Sequence, residues 1–248
     1  MTESIGVAVA DYVATVELRR APHNFFDEHL LTDLADVVTS FDDSDSVRAI
    51  VLCSEGRNFC AGADLRGMGP GGIRRVYRQA ARLFIGRKPI VAAVHGRAVG
   101  GGLGLAMAAD FRMVSPDAQL TANFAQLGFH QGFALSVTLP AAIGRQRAQD
   151  LLYTGRVVNG AEAVEIGLCD RVSGDPRSAA LAYAATIATS GPLAVPMIRS
   201  TLRRSLVCDA IAALDLEASA QAGLLDTADF AEGIAASIGK RSPVFTGS

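Results

Sequence analysis

Two apolar runs, Ala49-Ile50-Val51-Leu52-Cys53 and Ile90-Val91-Ala92-Ala93-Val94, each give way to a stretch of small residues, and this repeat restricts the fold more than any other feature of the chain. Phe59-Cys60-Ala61-Gly62-Ala63-Asp64-Leu65 follows the first run, and Gly100-Gly101-Gly102-Leu103-Gly104 follows the second. Short continuous apolar runs fit strands buried on both faces, and helical patterns between and after them supply the crossovers that parallel strands need. Gly and Ala at the ends of such strands let another group approach the backbone closely, so peptide N–H groups can point at it unobstructed. Two such groups converging on one carbonyl oxygen make an oxyanion hole.

The remaining pattern reads as α/β followed by α. Residues 5–10 and 12–18 predict a pair of strands turning at Asp11. Phe26, Leu30, Leu34, Val37, Val38 and Phe41 recur at helical spacing and predict a helix over about 25–41. A strand at 48–54, a helix at about 73–86, a strand at 90–95 and a buried helix at about 103–109 complete the first half. Beyond Gly128 strand signals fade, and helices are expected at 133–143, 145–154, 177–189, 193–206 and 209–239, separated mainly by glycines. A boundary near 190–192 divides an α/β core, residues 1–190, from a C-terminal helical arm, residues 191–248.

Composition excludes several classes of partner. The 248 residues are half hydrophobic, long enough for one large core, and carry a net charge of -2. Positive charges form no stripe that would track a phosphate backbone, so no nucleic acid is expected. No segment reaches membrane-spanning length, and the first residues lack a secretory pattern; a cytoplasmic chain with no membrane contact is the expectation. Cys53, Cys60, Cys169 and Cys208 are scattered, form no C-x-x-C pair and accompany only four histidines, which predicts reduced thiols and no metal site.

The order of motifs resembles the crotonase (enoyl-CoA hydratase/isomerase) family. It runs from Asn24 near Pro22 through Gly56-Arg57-Asn58-Phe59-Cys60-Ala61-Gly62-Ala63-Asp64-Leu65 and Lys88-Pro89-Ile90-Val91-Ala92-Ala93-Val94-His95-Gly96 to Gly100-Gly101-Gly102. Tyr153-Thr154-Gly155, Ala161-Glu162-Ala163 and Gly167-Leu168 look like its middle segment, and residues 229–245 like its tail. One Gly-rich run alone is weak evidence; two at this spacing, each after its own strand, are specific.

The resemblance implies a crotonase-like ββα spiral core with mainly parallel strands and a C-terminal helical region that assembles trimers, often paired into hexamers. It implies an acyl-CoA thioester as ligand, its carbonyl held between the N–H groups of Ala63 and Gly101, and no cofactor beyond the coenzyme A that the substrate carries. His23, Ala61, Asp64, Leu65, Gly100, Phe124 and Gln131 fall by motif position around the substrate. Arg20, His23, Arg66, Lys240 and Arg241 are candidates for its phosphates.

Two positions depart from the family pattern. Its hydratases carry glutamates where this chain has Gly104 and Phe124, and no Asp or Glu lies between Asp117 and Asp150. His130, in Gly128-Phe129-His130-Gln131-Gly132-Phe133, is the best remaining acid or base, because imidazole titrates near neutral pH. The plainer reading of His130 is a side chain hydrogen-bonded at a helix start or at a subunit contact. Three functions stay open: an enzyme acting on acyl-CoA, a catalytically silent acyl-CoA-binding or assembly member, and a dinucleotide-binding domain. The last lacks a full G-x-G-x-x-G and an acidic residue at the expected place.

Overall fold

A computed structural model describes residues 3–64 and 69–248; Leu65 and Arg66 lie outside the described residues. Strands β1 (Ile5–Ala10) and β2 (Val13–Leu18) form an antiparallel hairpin. Asp11 and Tyr12 both take positive φ at its turn, as a tight two-residue connection requires. From β2 the sheet continues in parallel through β3 (Ala49–Ser54), β4 (Ile90–Val94), β6 (Phe111–Val114) and β9 (Arg171–Val172). Between β4 and β6 lie β5 (Arg97–Val99) and helix α3 (Gly101–Ala108).

Every residue of β3 and β4 is buried, because both faces of the sheet are covered. Helix α7 (Pro176–Ala188) lays Ala180, Ala184 and Ala188 against Val51, Cys53, Val91 and Ala93. The opposite residues, Ile50, Leu52, Ile90 and Ala92, join one large core with Leu30 and Leu34 of α1 (Glu28–Ser40) and Ile73 and Leu83 of α2 (Pro70–Ile85).

A second, three-stranded sheet escapes the sequence pattern. It pairs β5 in parallel with β7 (Gln119–Thr121), and β7 antiparallel with β8 (Val158–Asn159). Strands of two or three residues carry too little periodicity to be read, and β8 and β9 both fall beyond Gly128, where no strand was expected.

The C-terminal half places α4 (Leu135–Ile143), α5 (Arg145–Thr154) and α6 (Gly160–Glu165) before α7. The expected helices at 193–206 and 209–239 are divided elsewhere. Ala194–Leu224 is one continuous helix, α8, since residues 206–209 hold no Gly or Pro, and α9 (Ala228–Gly239) starts where the Thr227 hydroxyl accepts from the Phe230 N–H. Helix α8 packs on α2 and α4 of its own chain.

Asp110, after α3, anchors it at one end. Its carboxylate accepts from the Ile90 N–H at 2.8 Å, from Arg199 Nε at 2.9 Å and from Arg203 Nη1 at 2.8 Å. Those guanidinium groups also donate to the carbonyls of Gly86 and Ala108, at the C-terminal ends of α2 and α3.

Candidate active site

The spiral brings the two small-residue runs into contact. Cys60 bridges Ala98, the Val99 N–H donates to the Cys60 carbonyl at 3.0 Å, and a Cβ added to Gly62 would lie 3.9 Å from the Gly101 nitrogen. Gly62, at φ +105, holds a backbone conformation that side chains rarely adopt. Gly101 opens α3, whose N-cap, Gly100, offers no side-chain acceptor. The first N–H groups of a helix have no intrahelical partner and carry the positive end of its dipole. Among the described residues neither the Ala63 nor the Gly101 N–H has an acceptor. Chemically, such a pair can hold an oxygen that gains negative charge.

The surroundings of this pair are apolar. Phe26 pairs by backbone with Ala63, and its ring tip lies 2.6 Å from where a Cβ on Gly101 would sit. Phe133 packs edge-on against Phe26, with ring centroids 5.5 Å apart. Phe124 is buried beside Gly100. The Phe133 Cβ also lies 2.4 Å from the position of a Cβ on Gly104, so the space in which a Gly104 side chain would begin is already filled.

His23, Ala61 and Asp64 lie along the same first run. The His23 carbonyl accepts from the Ala61 N–H at 2.9 Å, its Nδ1 is 2.7 Å from the Asn58 amide, and the Asp64 N–H donates to the Phe26 carbonyl at 2.8 Å. Asn24, fully buried, ties this loop together by donating to the carbonyls of Glu55 and Asn58.

His130 and Gln131 lie on the segment that leads to Phe133. Gln131 donates to the Ser136 hydroxyl at 3.0 Å. His130 Nδ1 is 2.7 Å from the Gln131 carbonyl. A carbonyl can only accept, so Nδ1 carries a proton, and whenever the ring holds a single proton the lone pair lies on Nε2.

Beneath this segment lies a polar network that the sequence pattern did not reveal. Glu217, on α8 and almost wholly buried, accepts from the Ala134 N–H at 2.7 Å and the Ser136 N–H at 2.9 Å. Gln221, one turn on, donates to the His130 carbonyl and accepts from the Tyr77 hydroxyl at 2.8 Å. Burial pushes the Glu217 carboxyl above its usual range, against the lowering effect of the Ser136 and Ala134 hydrogen bonds. The one available signal was a Glu and a Gln four residues apart on the apolar stripe of α8 that holds Leu214 and Ala218.

Other candidates are engaged elsewhere. Arg20 pairs with Asp27 at 2.8 Å, and Arg241 pairs with Glu232. Burial pushes the Cys60 thiol up to about 12, which removes it as a nucleophile at neutral pH. A groove of about 1140 Å³ between the 42–48 turn, the end of α2 and the first half of α8 is lined by none of the site residues. Among the described residues no group of His, Cys, Asp and Glu is placed to hold a metal ion, and no helix is long and apolar enough to cross a membrane.

Comparison with known proteins agrees over the whole length. The family model described as enoyl-CoA hydratase/isomerase matches residues 9–248. A probable enoyl-CoA hydratase of Bacillus subtilis is 32% identical, covering 98% of this chain and 99% of that protein. The 1,2-epoxyphenylacetyl-CoA isomerase of Escherichia coli is 31% identical with both chains fully covered. The crystal structure of an enoyl-CoA hydratase/isomerase from Pseudoalteromonas atlantica superposes with a TM-score of 0.90 at 31% identity, covering 98% of this chain and 100% of that one.

Proposed function

The chain belongs to the enoyl-CoA hydratase/isomerase family, and from that membership we propose an enzyme that holds an acyl-CoA thioester carbonyl between the N–H groups of Ala63 and Gly101. The observation that carries this reading is the meeting of the two runs with both N–H groups unclaimed among the described residues. A thioester polarised there loses an α-proton, or accepts a nucleophile at its β-carbon, through an enolate whose charge the two donors stabilise without moving. One such donor commonly contributes about 3 kcal/mol to lowering a barrier. His23, Ala61, Asp64, Gly100, Phe124 and Gln131 are assigned to the surrounding wall, Leu65 is a candidate by motif position alone, and no cofactor is needed beyond the coenzyme A of the substrate.

Proton transfer is assigned to His130, because positions 104 and 124 carry no carboxylate and the tautomer set by the Gln131 carbonyl puts the lone pair on Nε2, which has no hydrogen-bond partner among the described residues. His130→Ala is expected to lower turnover of 2-enoyl-CoA by about 10²-fold or more while thioester affinity holds, and full activity in that variant would remove His130 from the mechanism. A second reading, a silent acyl-CoA-binding member, is favoured by the Phe133 side chain filling the space beside Gly104. Measurable CoA-thioester binding with no loss of enoyl absorbance for crotonyl-CoA or longer substrates would establish it.

Assembly into trimers or hexamers is part of this proposal. Leu193, Met197, Leu202 and Leu216 of the α8 region are exposed in the single chain, apolar side chains that a second copy would cover. Light scattering reads the assembly directly. The reducing cytoplasm suits the four free cysteines.

A further inference from the structure

We propose that Phe133 limits the acyl group to a short chain, and that Glu217 is the positioning residue that holds it there. This rests on the thioester site proposed above.

Phe133 and Ala134 both take left-handed backbone, at φ 60 and 59, which non-glycine residues avoid. Two adjacent residues of this kind persist only where their surroundings over-determine them. Here the surroundings are specific. The Glu217 carboxylate takes the N–H groups of Ala134 and Ser136 together. Gln221 holds the His130 carbonyl from the same helix face, and the Tyr77 hydroxyl lies 1.7 Å from where a Cβ on Gly132 would sit, so the chain is pressed onto α2 and α8 just before the strained pair.

The consequence is where the Phe133 side chain goes. Its backbone turn drives Cβ over Gly104 and its ring onto Phe26, which itself spans Ala63 and Gly101. A carbonyl seated on those two N–H groups has its acyl carbons leaving past this pair of rings. Phe133 is fully buried, so its volume is filled and closed to a chain of many carbons. Glu217 touches none of the reacting atoms; it acts through the backbone of 134 and 136.

The test measures binding of butyryl-CoA and decanoyl-CoA by calorimetry, with free coenzyme A as control, to the wild-type protein and to Phe133→Gly, Phe133→Ala, Glu217→Gln and Glu217→Ala. Phe133→Gly keeps the left-handed backbone accessible and Glu217→Gln keeps one acceptor, so these are the milder variant at each position, and circular dichroism selects the folded variants that are compared. The wild type is expected to favour butyryl-CoA by about tenfold or more over decanoyl-CoA. The variants are expected to shift that ratio toward the longer chain by a similar factor, about 1.4 kcal/mol per decade. A merely structural Glu217 would lower thermal stability and weaken both ligands equally. An unchanged ratio in folded variants, or a wild type indifferent to chain length, overturns the inference. Failure of the wild type to bind either thioester more tightly than free coenzyme A instead overturns the thioester reading on which the inference rests.

Discussion

At the scale of the residue, position 104, where the family resemblance implies a glutamate, has no room for a side chain. Gly104 cannot gain a side chain without moving Phe133, whose Cβ, ring base and carbonyl all lie within 3.1 Å of the added atom. Gly104→Glu is therefore expected to leave turnover of 2-enoyl-CoA no higher than in the wild type and to destabilise the fold by at least the roughly 1–3 kcal/mol of ordinary overpacking. Because the closest clash is with Cβ, Phe133→Ala does not relieve it and Phe133→Gly does. In a double-mutant cycle by denaturant unfolding, Gly104→Ala is expected to cost less in the Phe133→Gly background than in the wild type. Equal costs in the two backgrounds would show that the site relaxes in some other way. That this stretch holds no carboxylate was legible in the sequence, since Gly104 directly follows the Gly-rich run and no Asp or Glu lies between Asp117 and Asp150. That Phe133 occupies the space was not, because it depends on two left-handed residues that no propensity favours.

At the scale of the element, charged groups attach α8 to the core through a partner far away in sequence and attach the last residues of the chain to α9. Asp110 holds two buried arginines, so Asp110→Ala leaves both without their counter-ion and is expected to cost about 3–5 kcal/mol, read as a fall in Cm. A loss below about 1 kcal/mol would mean that the carbonyls of Gly86 and Ala108 suffice. The last residues are fixed on α9 by Asp229, which accepts from the Thr246 and Gly247 N–H groups, and by Glu232, which accepts from Arg241 and the Val244 N–H. Arg241 first, then the Val244 N–H, hold the Glu232 carboxyl down to about 2. A depressed carboxyl stabilises the folded state above its unfolded value of 4.5, and that contribution is lost as pH falls through about 2. Carboxyl-carbon NMR is expected to show Glu232 titrating near 2 in the wild type and higher, toward 4.5, in Arg241→Ala; a wild-type midpoint near 4.5 would mean that the tail is undocked in solution. None of these anchors has a periodic signature, and so the helical expectation misplaced the break between α8 and α9.

At the scale of the whole molecule, the long parallel strands and the two runs of small residues were legible because continuous apolar segments and clustered glycines are strong local signals. The parallel α/β core follows from them, as the β2-β3-β4-β6 order shows. The small sheet of β5, β7 and β8 was not legible, although β5 and β7 aim the second run, since three-residue strands exist only through their partners. Nor was the way in which α8 reaches under residues 130–136, because Glu217 reads as an exposed charge until its two N–H partners are seen. The central claim, that the fold joins the two runs into one carbonyl site, is tested most directly by infrared difference spectroscopy of an enoyl-CoA labelled with carbon-13 at the thioester carbonyl. Two N–H donors with no competing acceptor among the described residues predict that the carbonyl stretch moves to lower frequency on binding and moves less in Gly101→Ala, where the new Cβ meets the Phe26 ring at 2.6 Å. A bound thioester whose carbonyl stretch matches that in water would contradict it.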